Sequence, residues 1–309
     1  MEKKILVAVD DSIHSKHAVR YAVRISSVVK ELTYTLFHVQ PTISQFLLDE
    51  AESDLRARQD LKIIVRNNTE NAYHILEKHK NEMVRMGISE QAIETTTWPK
   101  ILGLAKDVLV CAQQGLYDAI VVGRRGLSRT QKAFMGSTSA NIVAHSEVVP
   151  VWVVDGDVIS TKIMVAVDGS ESAFAAVDHL VFLIGENRDI TITLFHVVTT
   201  LGNYCGINFL EENDDSKEML ARGAKQCLER FYAHAKKRFE EVGLQDQQVE
   251  IKVTKRIRNV GKAIITEVQK GDYGTVVVGR RGVRGAFFMG SVSRYVTEKI
   301  SNRAVWIVN

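Results

Sequence analysis

The sequence lacks most of the patterns that characterise secreted and membrane proteins. It has only three cysteines, Cys111, Cys205 and Cys227, and none of them forms a CxxC pair. No apolar stretch reaches the length of about 18 residues that a transmembrane helix needs. The chain starts with Met1 and Glu2 and passes into a strand-like segment without a signal-peptide pattern. These absences predict a cytoplasmic protein of the reducing cytosol with no membrane partner.

An excess of charge of one sign is also lacking. The 309 residues carry 40 basic and 37 acidic side chains, which gives a formal net charge of +3. Proteins that bind nucleic acid usually show a marked basic excess or a basic stripe. The near balance of charge therefore argues against DNA or RNA as a partner.

Familiar catalytic signatures are missing as well. The sequence has no GxSxG elbow, no HExxH zinc motif and no GxxxxGKS/T phosphate loop. Without the lysine of such a loop, the charge on a transferring γ-phosphoryl group has no dedicated cation. His14 and His17 lie one helical turn apart, but no third metal ligand is near them in the sequence. We therefore expect no metal cluster and no fast phosphoryl transfer.

What the sequence does contain is a repeat with an offset of 158 residues. The apolar run at 5–9 leads into Asp10, and the run at 163–167 leads into Asp168. A second pair of runs, at 33–39 and 191–197, has the same offset. The repeat predicts two domains, 1–157 and 158–309, each long enough for a core of its own. The short acidic stretch 155–158 is the expected linker.

Each half is predicted to alternate strands and helices as βαβαβαβαβ. The strands are apolar enough to be covered on both faces, which is typical of a parallel sheet between two helical layers. We therefore expect an α/β protein made of two tandem, doubly wound parallel sheets. Ligands of such sheets bind beyond the carboxyl ends of the strands, where Asp10, Val39 and Gly123 are predicted to lie.

The most informative stretch is Gly123-Arg-Arg-Gly126, which is followed after nine residues by Gly136, Ser137 and Thr138. The apolar run before Gly123 predicts a buried strand, and the pattern after Ser137 predicts a helix. Glycine permits positive φ and a close approach of backbone to a ligand. The unpaired amides at a helix N-terminus favour anions. This arrangement therefore predicts a phosphate-binding segment.

The combination resembles the universal stress protein family in its tandem form. The segments that carry the resemblance are Val7-Ala-Val-Asp10-Asp-Ser12, Leu36-Phe-His-Val39 and Gly123-x2-Gly126-x9-Gly136-Ser137. The last of these has the spacing of the ATP-binding branch of the family. The resemblance implies that each half is a five-stranded parallel sheet in the order 3-2-1-4-5, the adenine nucleotide alpha hydrolase-like fold. It also implies an intramolecular pseudo-dimer through the last strands, with Trp152 and Trp306 near its axis.

The resemblance further implies an ATP site, with or without Mg2+, in the first half. In this site Asp10 would face the ribose, the backbone beside Val39 the adenine, and the glycine-containing segment the ribose and phosphates. The residues assigned to the site are Val9, Asp10, Val39, Gly123, Arg124, Gly126, Gly136, Ser137 and Thr138.

A second site is implied in the second half, but its loop is shorter. The equivalent residues are Asp168, Val197, Gly279, Gly282, Gly290 and Ser291. Only seven residues separate Gly282 from Gly290, whereas nine separate Gly126 from Gly136. Two missing residues remove up to about 7 Å of contour. Val292 also replaces the hydroxyl of Thr138, so we predict that nucleotide binds preferentially in the first half.

Several of these residues also have a purely structural interpretation. Asp10 and Asp168 are suited to cap the helix that follows them. His38 and His196 fit hydrogen-bonded structural residues better than catalytic ones. The guanidinium fork of Arg124 is able to pair with phosphate, although a solvated loop arginine is the more common case.

Three functions remain open for the whole chain. The first is a cytoplasmic stress-response protein that uses ATP as a regulatory ligand. The second is an interaction or scaffold protein with empty pockets, and the third is a slow ATP hydrolase or phosphotransferase. The sequence names no protein partner, and it leaves open whether the tandem chain forms a further homodimer.

Overall fold

The computed structural model describes residues 2–124, 135–185, 187, 190–198, 214–255, 259–282 and 289–309, with the backbone alone for 214–222, 224, 225 and 255. Gly126 and the middle of both glycine-containing loops, 125–134 and 283–288, lie outside these residues. No helix in this described part of the chain combines the length and the apolarity needed to cross a membrane.

The first half alternates strands and helices in the predicted order. Its strands are β1 (Lys3–Ala8), β2 (Leu32–Gln40), β3 (Ile93–Pro99), β4 (Ala119–Gly123) and β5 (Val151–Val154). Its helices are α1 (Ile13–Ile25), α2 (Gln45–Ser53), α3 (Leu55–Arg85), α4 (Leu104–Gln114) and α5 (Ser137–His145). The long helix α3 ends next to a glycine, because Gly87 follows it with a φ of 101°, a conformation that favours glycine.

The second half repeats this order. Its strands are β6 (Ile163–Val167), β7 (Ile192–Val198), β8 (Val249–Lys255), β9 (Thr275–Gly279) and β10 (Ala304–Val308). Its helices are α6 (Glu171–Ile184), α7 (Asp214–Glu241), α8 (Val260–Lys270) and α9 (Ser291–Lys299). Gly243 follows α7 with a φ of 81°, as Gly87 does after α3.

The ten strands form one sheet in the order β3-β2-β1-β4-β5-β10-β9-β6-β7-β8. Within each half the neighbouring strands are parallel and follow the predicted order 3-2-1-4-5. The halves meet where β5 pairs antiparallel with β10. The predicted fold is thus confirmed, and the two sheets merge because each last strand satisfies backbone groups that the other would leave unpaired.

The centre of this junction is a pair of stacked indoles. Trp152 and Trp306 lie opposite each other in the strand register, with ring centroids 4.0 Å apart and an interplanar angle of 6°. Each indole N–H is directed at the first helix of the other half: Trp306 Nε1 donates to Tyr21 Oη at 2.7 Å, and Trp152 Nε1 to His179 Nε2 at 3.4 Å. The expected position of both tryptophans near the pseudo-twofold axis is confirmed.

Helices cover both faces of the sheet. Buried residues of α1, α3, α6 and α7 form one apolar core with the strands, and those of α4, α5, α8 and α9 form the other. Because both faces are covered, a ligand reaches the sheet at the ends of its strands. Of the cysteines, Cys111 is a buried free thiol, whereas Cys227 is disulfide-bonded, which the cysteine spacing did not predict.

Candidate functional site

The carboxyl ends of the central strands of the first half lie side by side. β1 pairs with β2 on one side and with β4 on the other, so that Ala8 is opposite both Phe37 and Val122. Val9 continues this arrangement, since its amide donates to the Phe37 carbonyl at 2.9 Å. This edge of the sheet therefore gathers four predicted residues, namely Val9, Asp10, Val39 and Gly123.

The carboxylate of Asp10 is fixed by the turn that follows β1. Its Oδ1 accepts hydrogen bonds from the Ser12 amide at 3.0 Å and from the Ser15 hydroxyl at 2.5 Å. Ser12, rather than Asp10, is the N-cap of α1, and its hydroxyl accepts from the Ser15 amide at 3.2 Å. The alternative in which Asp10 caps the helix is therefore wrong. Across the described residues, no hydrogen bond engages Oδ2.

Two buried histidines support the backbone next to this carboxylate. His38 Nδ1 lies 2.8 Å from the Val9 carbonyl oxygen, and His79 Nε2 lies 3.0 Å from the Asp10 carbonyl oxygen. Burial lowers the pKa of His79, which favours a neutral ring that donates from Nε2. His79 was not predicted from the sequence, because it lies on the apolar face of α3, 69 positions from Asp10. Its helical spacing from buried residues was the available signal.

The N-terminal end of α5 is the second component of the site. Gly136 occupies the N-cap position and provides no side-chain hydrogen bond to the first turn. The helix start is held next to the end of β4, because the Ser139 hydroxyl donates to the Gly123 carbonyl at 2.7 Å. Ser137 is exposed and Thr138 is half-buried. The first turn of α5 thus presents amides and hydroxyls at the same edge as Asp10, which suits an anion.

Gly123 has a packing reason to be glycine that needs no ligand. A Cβ atom at this position would lie 2.6 Å from the His14 carbonyl oxygen in α1. Gly279 is in the same situation, since its Cβ would lie 2.6 Å from the Ser172 backbone. These two glycines therefore permit a close approach of helix to strand. They allow the site to form, but they do not by themselves indicate a ligand.

The second half gathers the equivalent residues around Asp168. Asp168 Oδ1 accepts from the Ser170 amide at 3.0 Å, and Ser170 is the N-cap of α6. A Cβ at Gly282 would lie 3.2 Å from Asp168 Oδ2, and one at Gly290 would lie 3.4 Å from the Gly282 amide nitrogen. The start of the loop therefore lies against the carboxylate. Asp168 does not cap α6, so this alternative is also wrong.

The remaining residues of the second half follow the first half more closely. His196 Nδ1 lies 2.8 Å from the Val167 carbonyl oxygen, as His38 does from that of Val9. Val197 follows His196 on β7, and Ser291 begins α9 after the N-cap Gly290, which again provides no side-chain cap.

The structure corrects the predicted role of the Arg124 side chain. Its guanidinium is buried and donates to the carbonyl oxygens of Glu298 and Ile300 in the other half. It is neither a solvated loop residue nor directed at the phosphate-binding segment. The backbone of Arg124 remains at the site, because its carbonyl accepts from the Gly136 amide at 2.8 Å.

These features define a class of protein, namely tandem α/β proteins with a candidate anion site at the switch point of each sheet. The sequence model of the universal stress protein family matches residues 1–155 and again residues 160–309. The chain therefore belongs to the universal stress protein family, in its tandem form.

Individual relatives agree with this assignment. A universal stress protein from Mycolicibacterium smegmatis is 26% identical over 310 residues, covering 96% of this chain and 94% of that protein. A universal stress protein A-like protein from Arabidopsis thaliana is 30% identical over 156 residues, covering 47% of this chain and 85% of that protein. The crystal structure of a universal stress protein from Archaeoglobus fulgidus covers 99% of this chain and 98% of its own, with a TM-score of 0.65 at 18% identity. That similarity shows a shared fold.

Proposed function

We propose that the first half binds ATP, and that the chain is a cytoplasmic stress-response protein in which this nucleotide acts as a regulatory ligand. The observation that carries the proposal is the uncapped start of α5 at the sheet edge where the Asp10 carboxylate is fixed. Backbone amides that donate to an anion and a carboxylate that accepts from a hydroxyl then lie together at the switch point. This combination suits a phosphorylated sugar.

The phosphates of ATP are proposed to lie at the start of α5. The assigned residues there are Gly123, Gly126, Gly136, Ser137 and Thr138, of which Gly126 lies outside the described residues. A helix N-terminus stabilises an anion by ~0.3–1 kcal/mol at an exposed site and by up to ~2 kcal/mol when partly buried. Backbone amides are thus sufficient to favour binding, but they do not replace the lysine of a phosphate loop. Any hydrolysis of ATP is expected to be slow.

The ribose is proposed to meet Asp10. Its Oδ1 is held by Ser12 and Ser15, and its Oδ2 is proposed to accept from a ribose hydroxyl. Because the carboxylate is already oriented before the ligand arrives, little side-chain freedom is lost on binding. The adenine is proposed to lie along the backbone at Val9 and Val39, at the ends of β1 and β2.

The lengths of the two loops support the ranking of the two halves. In the second half, a Gly282 Cβ would lie 3.2 Å from Asp168 Oδ2. Gly126, its counterpart in the first half, lies outside the described residues. The shorter loop between Gly282 and Gly290 leaves less contour to pass around three phosphates. We therefore propose that ATP occupies the first half preferentially and the second half more weakly.

Two measurements test this function. Mass spectrometry of small molecules released from freshly purified, denatured protein should show ATP at about one per chain. Calorimetric titration should then show that Ser137→Glu weakens ATP binding by about tenfold or more, since its carboxylate repels phosphate. The matched Ser291→Glu variant should change the affinity by about threefold or less. A larger effect of Ser291→Glu than of Ser137→Glu would reverse the proposed ranking.

Other outcomes support the remaining functions. If neither purified protein nor protein titrated with ATP and Mg2+ binds nucleotide, the scaffold function replaces the proposal. Sustained turnover of labelled ATP by the wild-type protein, lost in Ser137→Glu, would support the slow hydrolase. Gly123→Val is unsuited to this purpose, because its side chain would collide with the His14 backbone.

A further inference from the structure

Two buried arginines cross the junction between the halves in opposite directions. Arg124 follows β4 directly and donates to the carbonyl oxygens of Glu298 and Ile300, at the C-terminal end of α9. Its guanidinium also lies 3.6 Å from the carboxylate of Asp155, with which it forms an ion pair. The strand end of the first half is thereby connected to a helix of the second half.

Arg280 makes the opposite connection. It follows β9 directly and donates to the carbonyl oxygen of Ala144, in the last turn of α5, and to the side chain of Asn309 at 3.1 Å. Arg124 and Arg280 are each only 3% exposed. The strand end of the second half is thereby connected to the helix whose start forms the candidate site of the first half.

The backbones of the same arginines hold the other ends of these helices. The Arg124 carbonyl accepts from the amide of Gly136, the N-cap of α5, at 2.8 Å. The Arg280 carbonyl accepts from the amide of Gly290, the N-cap of α9, also at 2.8 Å. Each helix is therefore held at one end by one arginine and at the other end by the other. We call this closed set, Arg124, α9, Arg280 and α5, the arginine ring.

Elementary electrostatics makes the ring stiff. A guanidinium at the C-terminal end of a helix satisfies carbonyls that lack an intrahelical partner and complements the helix dipole. A buried cation that loses such partners is left without hydration or hydrogen bonds, so the contact is retained when the helix moves. A nine-residue helix such as α5 is a rod of roughly 13–14 Å. A displacement at its N-terminal end is thus transmitted to Arg280.

We propose that the arginine ring couples the two candidate sites, so that ATP at the start of α5 orders the strand end and loop start of the second half through Arg280. The coupling is positive, because a first ligand that fixes the start of α5 also fixes, through the stiff ring, the strand end and loop start of the second half, which a second ligand then no longer has to order. It is also reciprocal, since linkage requires each site to change the other's affinity by the same factor. This inference rests on the proposed function, from which it takes the ligand.

Hydrogen exchange provides the test. Full-length protein receives one equivalent of ATP per chain, which fills the first half, and amide exchange is measured at 280–282 and 290–294. We expect ATP to slow exchange at these second-half amides by about fivefold or more, the lower end of typical coupling. In Ser137→Glu, whose first half is expected to bind ATP at least about tenfold more weakly, the slowing should fall with the lower occupancy.

The decisive variant is Arg280→Met, which keeps a side chain of similar length but removes the donors to α5. Calorimetry should show that it still binds ATP in the first half, while the slowing of exchange at 280–282 and 290–294 falls below about twofold. Arg281→Met is the matched control, because Arg281 is adjacent in sequence but exposed. It should retain the full response.

The outcomes separate the two proposals. Binding of ATP by wild-type protein without any change in second-half exchange, or an unchanged response in Arg280→Met, overturns the coupling and leaves the proposed function intact. Failure of the wild type to bind ATP overturns both. If Arg280→Met does not fold, Arg280→Gln keeps a polar side chain but is two atoms shorter, so that it loses the contact with the Ala144 carbonyl. A full response in Arg280→Gln would then overturn the coupling, and a reduced one would support it.

Discussion

The two halves share one topology but differ around the carboxylate that follows their first strand. In the first half the Ser15 hydroxyl holds Asp10 at 2.5 Å. At the equivalent position, 158 residues later, the second half has Ala173, and Asp168 Oδ1 accepts from the Ser170 amide. Both halves thus place a carboxylate at the switch point. The hydroxyl that orients it in the first half is absent from the second half. A shared fold therefore does not imply two equal sites.

The junction shows the same kind of difference. Tyr21 and His179 are also 158 positions apart, and each receives the indole N–H of the opposite half. Tyr21 makes two contacts of 2.7 Å, to Trp306 and to Thr275, whereas His179 receives Trp152 at 3.4 Å. The two halves are therefore more alike in the positions of these residues than in the lengths of their hydrogen bonds.

The largest expected effect comes from removing either stacked indole. Trp152→Ala and Trp306→Ala should each lower the free energy of unfolding by about 3–5 kcal/mol, because a fully buried aromatic ring leaves a cavity. Urea unfolding followed by circular dichroism measures this loss. Trp98→Ala, at a half-buried position away from the junction, is the control and should cost less. A loss below about 1 kcal/mol for both junction variants would show that the stack does not stabilise the tandem pair.

The hydrogen bonds of the junction give the next effect. Tyr21→Phe should lower the free energy of unfolding by about 1–3 kcal/mol, because buried Thr275 and Trp306 lose a partner. His179→Phe should cost less, since only the longer contact to Trp152 is removed. Thermal and urea unfolding of the two variants provide the comparison. Equal losses would mean that the asymmetry in distance has no energetic counterpart.

Lowering the pH should destabilise the junction at His179, on the side of the second half. The surrounding indoles exclude water and lower the pKa of His179 to about 3, so the unfolded chain binds this proton more readily than the folded one. The folded state therefore has its full stability above the ordinary histidine pKa, where the His179 ring is neutral. It loses stability as the pH falls below about 6.5 and the unfolded chain takes up a proton. Because the ring keeps some contact with solvent, we expect a loss of about 1–2 kcal/mol by pH ~4.5.

The pH dependence has a direct control. His179→Phe should flatten the decrease in urea midpoint between neutral pH and mildly acidic pH, whereas Tyr21→Phe should not. The buried His79 and His196, whose pKa values are also lowered by burial, contribute a residual decrease in both variants. An identical pH profile in wild type and His179→Phe would contradict the assignment.

The smallest effect concerns the carboxylates themselves. Ser15→Ala should cost about 1 kcal/mol and weaken ATP binding, because Asp10 loses the hydroxyl that orients it. The reciprocal Ala173→Ser should change stability by no more than about 0.5 kcal/mol. Calorimetric titration with ATP and thermal unfolding measure both. If Ser15→Ala binds ATP as well as the wild type does, the orientation of Asp10 is not what distinguishes the halves.

The fold was largely predictable from the sequence, because it follows from local patterns. Apolar runs of strand length at a fixed offset predicted the first two strands of each half, and the run before Gly123 predicted β4. The same reasoning predicted that Val9, Asp10, Val39 and Gly123 lie at one edge. His79 was missed, because no local pattern connects a histidine on α3 with the backbone of Asp10.

The reason for individual glycines was less predictable. Gly123 was expected to allow a ligand to approach, yet its missing Cβ already makes room for the His14 backbone. Among the described residues, a Cβ at Gly282 would meet the Asp168 carboxylate and no backbone atom. Packing and binding select the same residue type, and only the neighbours in space distinguish them.

The sequence by itself determined the strands, the helices and the strand ends at which a ligand is expected, because burial and backbone geometry act over a few residues. The tertiary structure alone decided where Arg124 and Arg280 go, since their partners are 176 and 136 positions away. From the sequence, a loop arginine next to a phosphate-binding pattern is interpreted as a phosphate ligand or, more commonly, as a solvated residue. The merging of the sheets brings helix C-termini to these guanidinium groups, and buried cations take the carbonyl acceptors that they find there.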